Sequence, residues 1–393
     1  MPPEWWHPPQ RPLPESGRCG AALPAFQSVT TDTIEKGRLL HAHLHAIGTA
    51  VPDHDVHATF LAWARARLPV RSVRVFDRMA ARAGIEHRWS VLPRLIDGGS
   101  QTGPGGFYAP DTSPGTGERM AIYAEAAPSL AMAAIAALGR QTSLDGITHL
   151  VVASCTGFVA PGIDQILAER LGLSAQVERL LVGFMGCYAA VAALRSARHI
   201  VRSDPAARVL VVAVELSTLH LQAVDEVEPL LGMLQFGDGA AAALVAAEPA
   251  GFALHRPFAA ALPASAELIR WTITDRGFAM HLSGEVPGRI TAALGDPAVA
   301  ARITGGDAAA VDGWAVHAGG RSILDAVQGA LALMPDALAG SRRVLAENGN
   351  MSSATLMFVL AALLAERRPI RNGVALAFGP GLAAEGFGFE SAA

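Results

Sequence analysis

Cysteine is scarce in this 393-residue chain, with only Cys19, Cys155 and Cys187. So small and odd a number builds no disulfide framework, and a reducing cytoplasm is the expected compartment. Lysine is scarcer still: Lys36 stands alone among 31 Lys and Arg residues. Charge is thin, at 17% of residues, with a formal net charge of −4. A surface that tracks nucleic-acid phosphates needs a basic excess, so no nucleic-acid partner is expected; a local basic patch for a phosphorylated ligand is compatible with the total. No charged start followed by an apolar core is read at the N-terminus, hence no secretory signal. The apolar stretches are broken by Gly, Asp, Arg or Glu short of membrane-spanning length, and no membrane span is expected.

What is abundant is hydrophobic side chain, at 51%. That suits a large buried interior, and the length suits two fused core units. Residues 1–38 stand apart, with prolines at 2, 3, 8, 9, 12, 14 and 24. Proline removes donors and disfavours ladders, so this is read as an extended or disordered Pro-rich arm. Trp5 and Trp6 can pin it to the body or to a partner subunit.

Beyond the arm, short runs apolar on both faces predict buried strands at His149–Ser154, Arg208–Leu216, Ala240–Ala246, Trp314–His317 and Val374–Phe378. Helical patterns lie between them, at Gly117–Arg140, Gly162–Leu171, Tyr188–Val201, Ser322–Leu333 and Ser352–Glu366. The alternation predicts an α/β fold. The Pro/Ala-rich stretch Pro257–Ser265 suggests a boundary, giving halves 39–258 and 259–393.

Three motifs carry chemistry. In Arg179-Leu-Leu-Val-Gly-Phe-Met-Gly-Cys187 a strand ends, Gly186 permits a tight turn, and Cys187 opens an alanine-rich helix. The positive end of the helix dipole favours thiolate, the nucleophilic form. Taken alone, an inert buried cysteine fits equally well. In Trp314-Ala-Val-His-Ala-Gly-Gly320, His317 ends a strand beside a glycine turn; alone it reads as a satisfied core histidine. In Asn348-Gly-Asn-Met-Ser-Ser353, Asn350 sits in a turn before a helix and alone reads as a cap. Together the three are more specific. A cysteine forms a thioester, a histidine pairs with its thiolate, and a histidine and an amide can both hold a thioester carbonyl as an enolate develops. A cysteine hydrolase needs its third residue only to orient the histidine, so the set alone leaves both open.

The stretches around Cys187, Phe236-Gly-Asp-Gly239, Trp314–Asp325, Gly349-Asn-Met-Ser-Ser353 and Phe378-Gly-Pro-Gly381 come in one order over roughly residues 40–390. In this the chain resembles the chalcone and stilbene synthases, the type III polyketide synthases, and its bacterial members more than its plant ones. The resemblance implies a thiolase-like fold, a five-layered αβαβα body of two similar halves, assembled as a homodimer. It implies that Cys187 is the acylated nucleophile and that His317 and Asn350 bind the extender thioester and promote its decarboxylation. It makes Phe236 the gatekeeper of the cavity and Phe378, Gly379, Pro380 and Gly381 the loop that shapes the cavity floor. Arg78 and Arg82 match positions that hold coenzyme A phosphates, while a third such position is Val75. Cys155 and Thr156 line the cavity, Cys155 as a wall residue and not a second nucleophile. Trp271 and Met280 stand where plant members carry glycine and phenylalanine, so cavity shape and product differ.

The implied substrates are an acyl-coenzyme A starter and malonyl-coenzyme A, with no further cofactor. The reaction is iterative decarboxylative Claisen condensation, then cyclisation to a pyrone, resorcinol or phloroglucinol-type ring. Decarboxylation yields the carbanion without a strong base, so no buried Glu or Lys base is required. A ketoacyl-carrier-protein synthase III, a cysteine hydrolase and a non-catalytic partner subunit are the rival readings. Alternating His41, His43 and His45 are read as part of an ordinary first strand, with no metal.

Overall fold

The computed structural model describes residues 41–96, 98–110, 112–262 and 264–392. The Pro-rich arm with Trp5 and Trp6, and Cys19, lie outside the described residues. In chain order come β1 (Ala42–Ala50), β2 (His54–Asp55), α1 (His57–Arg67), α2 (Val70–Ala83), β3 (Trp89–Ser90) and α3 (Thr116–Gly139). Next are β4 (His149–Ser154), α4 (Ile163–Arg170), β5 (Glu178–Gly183), α5 (Ala189–Ser203), β6 (Val209–Leu216), α6 (Val227–Leu234) and β7 (Asp238–Ala246). Then follow β8 (Phe252–Ala261), β9 (Ile269–Thr274), β10 (Gly277–Leu282), α7 (Val286–Leu294), α8 (Pro297–Thr304) and β11 (Gly313–Val316). The last are α9 (Arg321–Ala330), α10 (Ala339–Asn348), α11 (Ala354–Ala365), β12 (Gly373–Gly379) and β13 (Ala383–Ser391).

Nine strands form one sheet in the order β11-β12-β13-β8-β1-β7-β6-β4-β5. β4 runs parallel to β5 and β6, while β6–β7 and β7–β1 are antiparallel. The other end repeats this arrangement: β11–β12 is parallel, and β12–β13 and β13–β8 are antiparallel. One pairing scheme therefore occurs twice, and the two copies join where β1 meets β8.

The apolar runs explain the layering. Ala190, Leu194 and Val201 of α5 share one core with Leu356, Leu360 and Leu363 of α11, together with strand residues from both halves. Leu130, Ala134 and Leu138 of α3 and Leu167 of α4 cover the outer face of the first half, against Val152, Val212 and Leu244. Ile290 of α7, Leu324 of α9 and Leu345 of α10 cover the second, against Val316, Val374 and Leu376. Strands covered on both faces read as continuous apolar runs, and each fully buried Leu or Ile adds roughly 1.5–3 kcal/mol. The result is the α-β-α-β-α body expected from the sequence, of the thiolase-like class.

Two readings change. α3 is long and apolar enough to cross a membrane by length and composition, contrary to the expectation that apolar runs break earlier. It lies as a core helix on the sheet, close enough that a Cβ on Gly48 would meet the Leu138 nitrogen at 2.1 Å. Pro257, read as part of a linker, stands inside β8. The register between β13 and β8 shifts at this point, and Arg256 has φ 43°. A bulge of this kind leaves one residue out of the ladder, which is how a strand accommodates a proline with no N–H to give.

Candidate active site

Cys187 sits on a strained turn. After β5, Phe184 and Gly186 both adopt positive φ, 57° and 71°, and a short 3₁₀ turn over Gly186–Tyr188 leads into α5. A Cβ on Gly186 would lie 2.5 Å from the Pro380 Cδ. A Cβ on Gly379 would lie 2.5 Å from the Tyr188 ring. Only glycine at both places lets the Phe378–Gly381 loop press against the Cys187 turn. Tyr188 fastens the contact by donating its hydroxyl to the Pro380 carbonyl (3.2 Å).

His317 follows β11 directly and donates its backbone N–H to the Leu376 carbonyl on β12 (2.8 Å). It is 1% exposed, and neither ring nitrogen has a hydrogen-bond partner among the described residues. Burial lowers its pKa to about 3, favouring neutral imidazole. Asn350 follows Gly349, which has φ 68°. Its Oδ1 accepts from the Ser352 N–H (2.8 Å) and its Nδ2 donates to the Gly319 carbonyl (3.3 Å). The second half thus binds Asn350 to the glycine turn that follows His317.

The Ser352 and Asn350 side chains stand near enough to the Cys187 thiol to lower its pKa, so thiol and amide are neighbours. Burial, the larger cause, nevertheless pushes that pKa up to about 11. The sequence reading, in which the helix dipole favours thiolate, is outweighed here by desolvation.

Behind this trio lies a carboxylate that sequence reasoning missed. Glu215 is fully buried near the end of β6. Its Oε2 accepts from the Cys155 N–H (3.0 Å) and the Thr156 hydroxyl (2.8 Å). Its Oε1 accepts from the Ser353 hydroxyl and the Cys155 thiol (3.1 Å). With all four donors in place, its oxygens are occupied. Cys155 lies 3.3 Å from the Ser352 hydroxyl, and burial followed by the Glu215 charge raises its pKa well above the ordinary thiol value. A thiol whose proton rests on a carboxylate is a poor nucleophile. One acid in the otherwise apolar run Val209–Leu216 was the available signal.

A cavity of about 410 Å³ opens beside this network, with Cys155, Thr156, Phe236, Trp271 and Met280 in its wall. Trp271 on β9 pairs directly with Met280 on β10, so both side chains reach the same side. The Phe378–Gly381 loop is not in that wall; it supports the Cys187 turn from behind. His220, also missed, lines the cavity and stacks on Phe278 with ring centroids 4.2 Å apart. Its Nε2 donates to the Thr156 carbonyl (2.6 Å) and its Nδ1 accepts from the Phe278 N–H (3.1 Å). Both nitrogens are satisfied in the neutral form, and burial lowers its pKa to about 4.

Phe236 is held from two sides. It forms a parallel bridge with Asn350, and its carbonyl accepts from Nη1 of the buried Arg88 (2.8 Å). Arg88 also gives Nη1 to the Met233 carbonyl (3.2 Å) and Nε to His57 Nδ1 (3.2 Å). Arg78 and Arg82 stand exposed on α2, one turn apart on one face. His41, His43 and His45 run into and along β1; His45 bonds the Glu248 carbonyl (2.8 Å).

A thiol at a strained strand-to-helix turn, an amide beside it, and a buried histidine are the equipment of a condensing enzyme of the thiolase-like class. The comparisons agree. Models of the chalcone and stilbene synthase N-terminal and C-terminal domains match residues 29–249 and 253–393. Among curated relatives, the alpha-pyrone synthesis polyketide synthase-like Pks18 of Mycobacterium tuberculosis is 34% identical over 289 residues, covering 70% of this chain and 73% of its own. Bisdemethoxycurcumin synthase of Oryza sativa is 37% identical over 342 residues, covering 78% and 80%. Among solved structures, PKS-I of the brown alga Ectocarpus siliculosus superposes with a TM-score of 0.80 at 29% identity, over 91% of this chain and all of its own. The 1,3,6,8-tetrahydroxynaphthalene synthase of Streptomyces coelicolor gives 0.80 at 28% identity, over 89% and 99%. The chain belongs to the chalcone and stilbene synthase family and is a type III polyketide synthase, an acyltransferase acting on coenzyme A thioesters.

Proposed function

We propose that Cys187, His317 and Asn350 carry out an iterative decarboxylative condensation. The observation that carries this reading is the nearness of the Asn350 side chain, from the second half of the fold, to the Cys187 thiol of the first, close enough to lower its pKa. The starter acyl group moves from coenzyme A to the Cys187 sulfur, releasing coenzyme A thiol, with the Cys187 proton passing through His317. Malonyl-coenzyme A then places its thioester carbonyl against His317 and the Asn350 amide. Loss of carbon dioxide leaves an enolate whose oxygen these two donors stabilise. The enolate carbon attacks the Cys187 thioester, the acyl–sulfur bond breaks to free the Cys187 thiolate, and the lengthened coenzyme A thioester then returns its chain to Cys187 with release of coenzyme A. Glu215 takes no proton in this scheme, because its oxygens already accept four donors.

The halves 39–258 and 259–393 divide this labour, the first holding Cys187 and the second His317 and Asn350. Arg78 and Arg82 hold the coenzyme A phosphates, and no other cofactor takes part. Cys155, Thr156, Phe236, Trp271 and Met280 shape the growing chain, which closes to a pyrone, resorcinol or phloroglucinol-type ring. The pyrone is favoured by the likeness to the mycobacterial relative, an alpha-pyrone synthesis polyketide synthase-like protein. The protein works in the cytoplasm as a homodimer. Support for the dimer comes from β5, an edge strand of the sheet, where Leu180 (43%), Leu181 (45%) and nearby Phe184 (49%) are exposed. An unpaired edge bearing apolar side chains suits pairing with its own copy.

The test is intact-protein mass spectrometry after incubation with a panel of acyl-coenzyme A thioesters and no malonyl-coenzyme A. The expected result is an acyl adduct that peptide mapping places on Cys187 and that is absent from Cys187→Ala. Adduct on Cys155, or none with any acyl group, contradicts the assignment.

A further inference from the structure

Helix α2 carries Arg71, Arg74, Arg78 and Arg82, all exposed. Spacings of three and four residues place them on one face, opposite buried Phe76, Ala80 and Ala83. The helix has a single acid, Asp77, and that is paired with Arg65 of α1 (2.6 Å). None of the four arginine side chains makes an ion pair or hydrogen bond among the described residues.

This stripe is costly to the helix. Like charges three or four residues apart repel, and Arg71 and Arg74 sit in the first turns, where the dipole disfavours cations. Two other helices pair an arginine with an acid one turn away: Arg289 of α7 with Glu285 at its N-cap, and Arg321 with Asp325 on α9. A merely solvated face would be expected to mix signs in the same way. The chain as a whole is acidic, so the stripe does not follow from composition. Beside the arginines, Val75 and Met79 are each 48% exposed, and Val70 at the helix start is 90% exposed.

Placement gives the stripe a meaning. Phe76 of α2 packs in one core with Leu230 and Leu234 of α6, which leads to Phe236, and with Ile323 of α9, which follows His317. Two of the four arginines suffice for the phosphates of a nucleotide. Arg71 and Arg74 extend the positive face to about 16 Å, at roughly 1.5 Å per residue, and Val75 and Met79 flank it. A long cationic face with exposed apolar side chains matches an acidic protein surface better than a small molecule.

We propose that the outer face of α2 docks an acidic carrier protein that presents its acyl group as a phosphopantetheine thioester. The proposal rests on the reading of Cys187 as the acylated nucleophile. In the transfer the carrier's carbon–sulfur bond breaks, the Cys187 acyl–sulfur bond forms, and the Cys187 proton ends on the carrier's thiol. The flexible arm is the one coenzyme A shares, so the same path to Cys187 serves both donors.

The test compares one acyl group delivered on coenzyme A and on a purified bacterial acyl carrier protein, using wild type, Arg71→Glu/Arg74→Glu and the milder Arg71→Ala/Arg74→Ala. Wild type is expected to acylate Cys187 from both donors. Charge reversal should lower kcat/KM for the carrier-bound acyl group at least about tenfold, with the alanine pair intermediate, and leave the coenzyme A thioester within about twofold. Added salt should weaken the carrier reaction more steeply than the coenzyme A reaction, whose phosphates meet only two of the four arginines. The proposal is overturned if wild type uses the coenzyme A thioester but not the carrier, or if both variants accept the carrier as well as wild type. It is also overturned if the variants lose only binding to anionic phosphatidylglycerol vesicles. Failure of both donors in wild type instead removes the condensing reading on which the proposal stands.

Discussion

Phe236 and Asn350 lie side by side in a parallel bridge, zipped by the Asn350 N–H to the Gln235 carbonyl (2.7 Å) and the Gly237 N–H to the Asn350 carbonyl (3.1 Å). The aromatic wall of the cavity and the amide beside Cys187 are therefore one rigid piece, drawn from the two halves of the chain. A substitution at either is expected to be felt at the other.

Asn350→Asp keeps the acceptor that Ser352 uses and removes the amide donor. Decarboxylation of malonyl-coenzyme A, followed by release of carbon dioxide, should fall about 10²–10³-fold, the usual effect of losing one oxyanion donor. Acylation of Cys187 by a starter should fall by less than about tenfold. Equal losses in both steps would place Asn350 in the acylation step as well.

The thiol titration tests His317. With burial as the largest cause, Cys187 stands at about 11, and His317 is a neutral imidazole; transfer of the thiol proton to that imidazole would make a thiolate–imidazolium pair and lower the Cys187 value. Alkylation by iodoacetamide should therefore rise at lower pH in wild type than in His317→Gln, where no such pair can form. Superimposable pH profiles would mean that His317 takes no proton from Cys187. In both proteins peptide mapping should find Cys155 unmodified, since burial and Glu215 hold it as the thiol.

Trp271 stands opposite Met280 across the β9–β10 pair and in the cavity wall. Trp271→Ala should enlarge the space and shift products toward longer starters or an added extension, read by mass spectrometry. An unchanged product profile with unchanged rate would remove Trp271 from the determinants of chain length.

Arg88→Gln leaves the buried carbonyls of Met233 and Phe236 without their donor. Losing charged donors of this kind should cost about 2 kcal/mol or more of stability in urea unfolding. It should also blur starter selectivity, because the Phe236 turn loses one of its two anchors. Lower stability with unchanged selectivity would make Arg88 purely structural.

Much of this was legible in the sequence because the strands are buried on both faces. His149–Ser154 coincides with β4, and Ala240–Ala246 and Val374–Phe378 lie inside β7 and β12. α1 and β8–β10 were not read, since their apolar residues alternate with charge or proline and resemble loops; α2 was read only as the helix face shared by Arg78 and Arg82. Cys187, His317 and Asn350 were legible as candidates through their glycine-flanked junctions. Glu215 and His220 were not, because a lone polar residue at a strand end carries no spacing signal. The direction of the Cys187 titration was also hidden: sequence reveals the helix dipole, but desolvation emerges only when both halves close over the thiol.

The most direct test is mass spectrometry of products from wild type and Cys187→Ala, each given malonyl-coenzyme A with a panel of acyl-coenzyme A starters. Wild type should release carbon dioxide and form lengthened, cyclised products, all lost in Cys187→Ala. Free acid formed through Cys187, with no chain lengthening, would contradict the account and mark the site as a hydrolase.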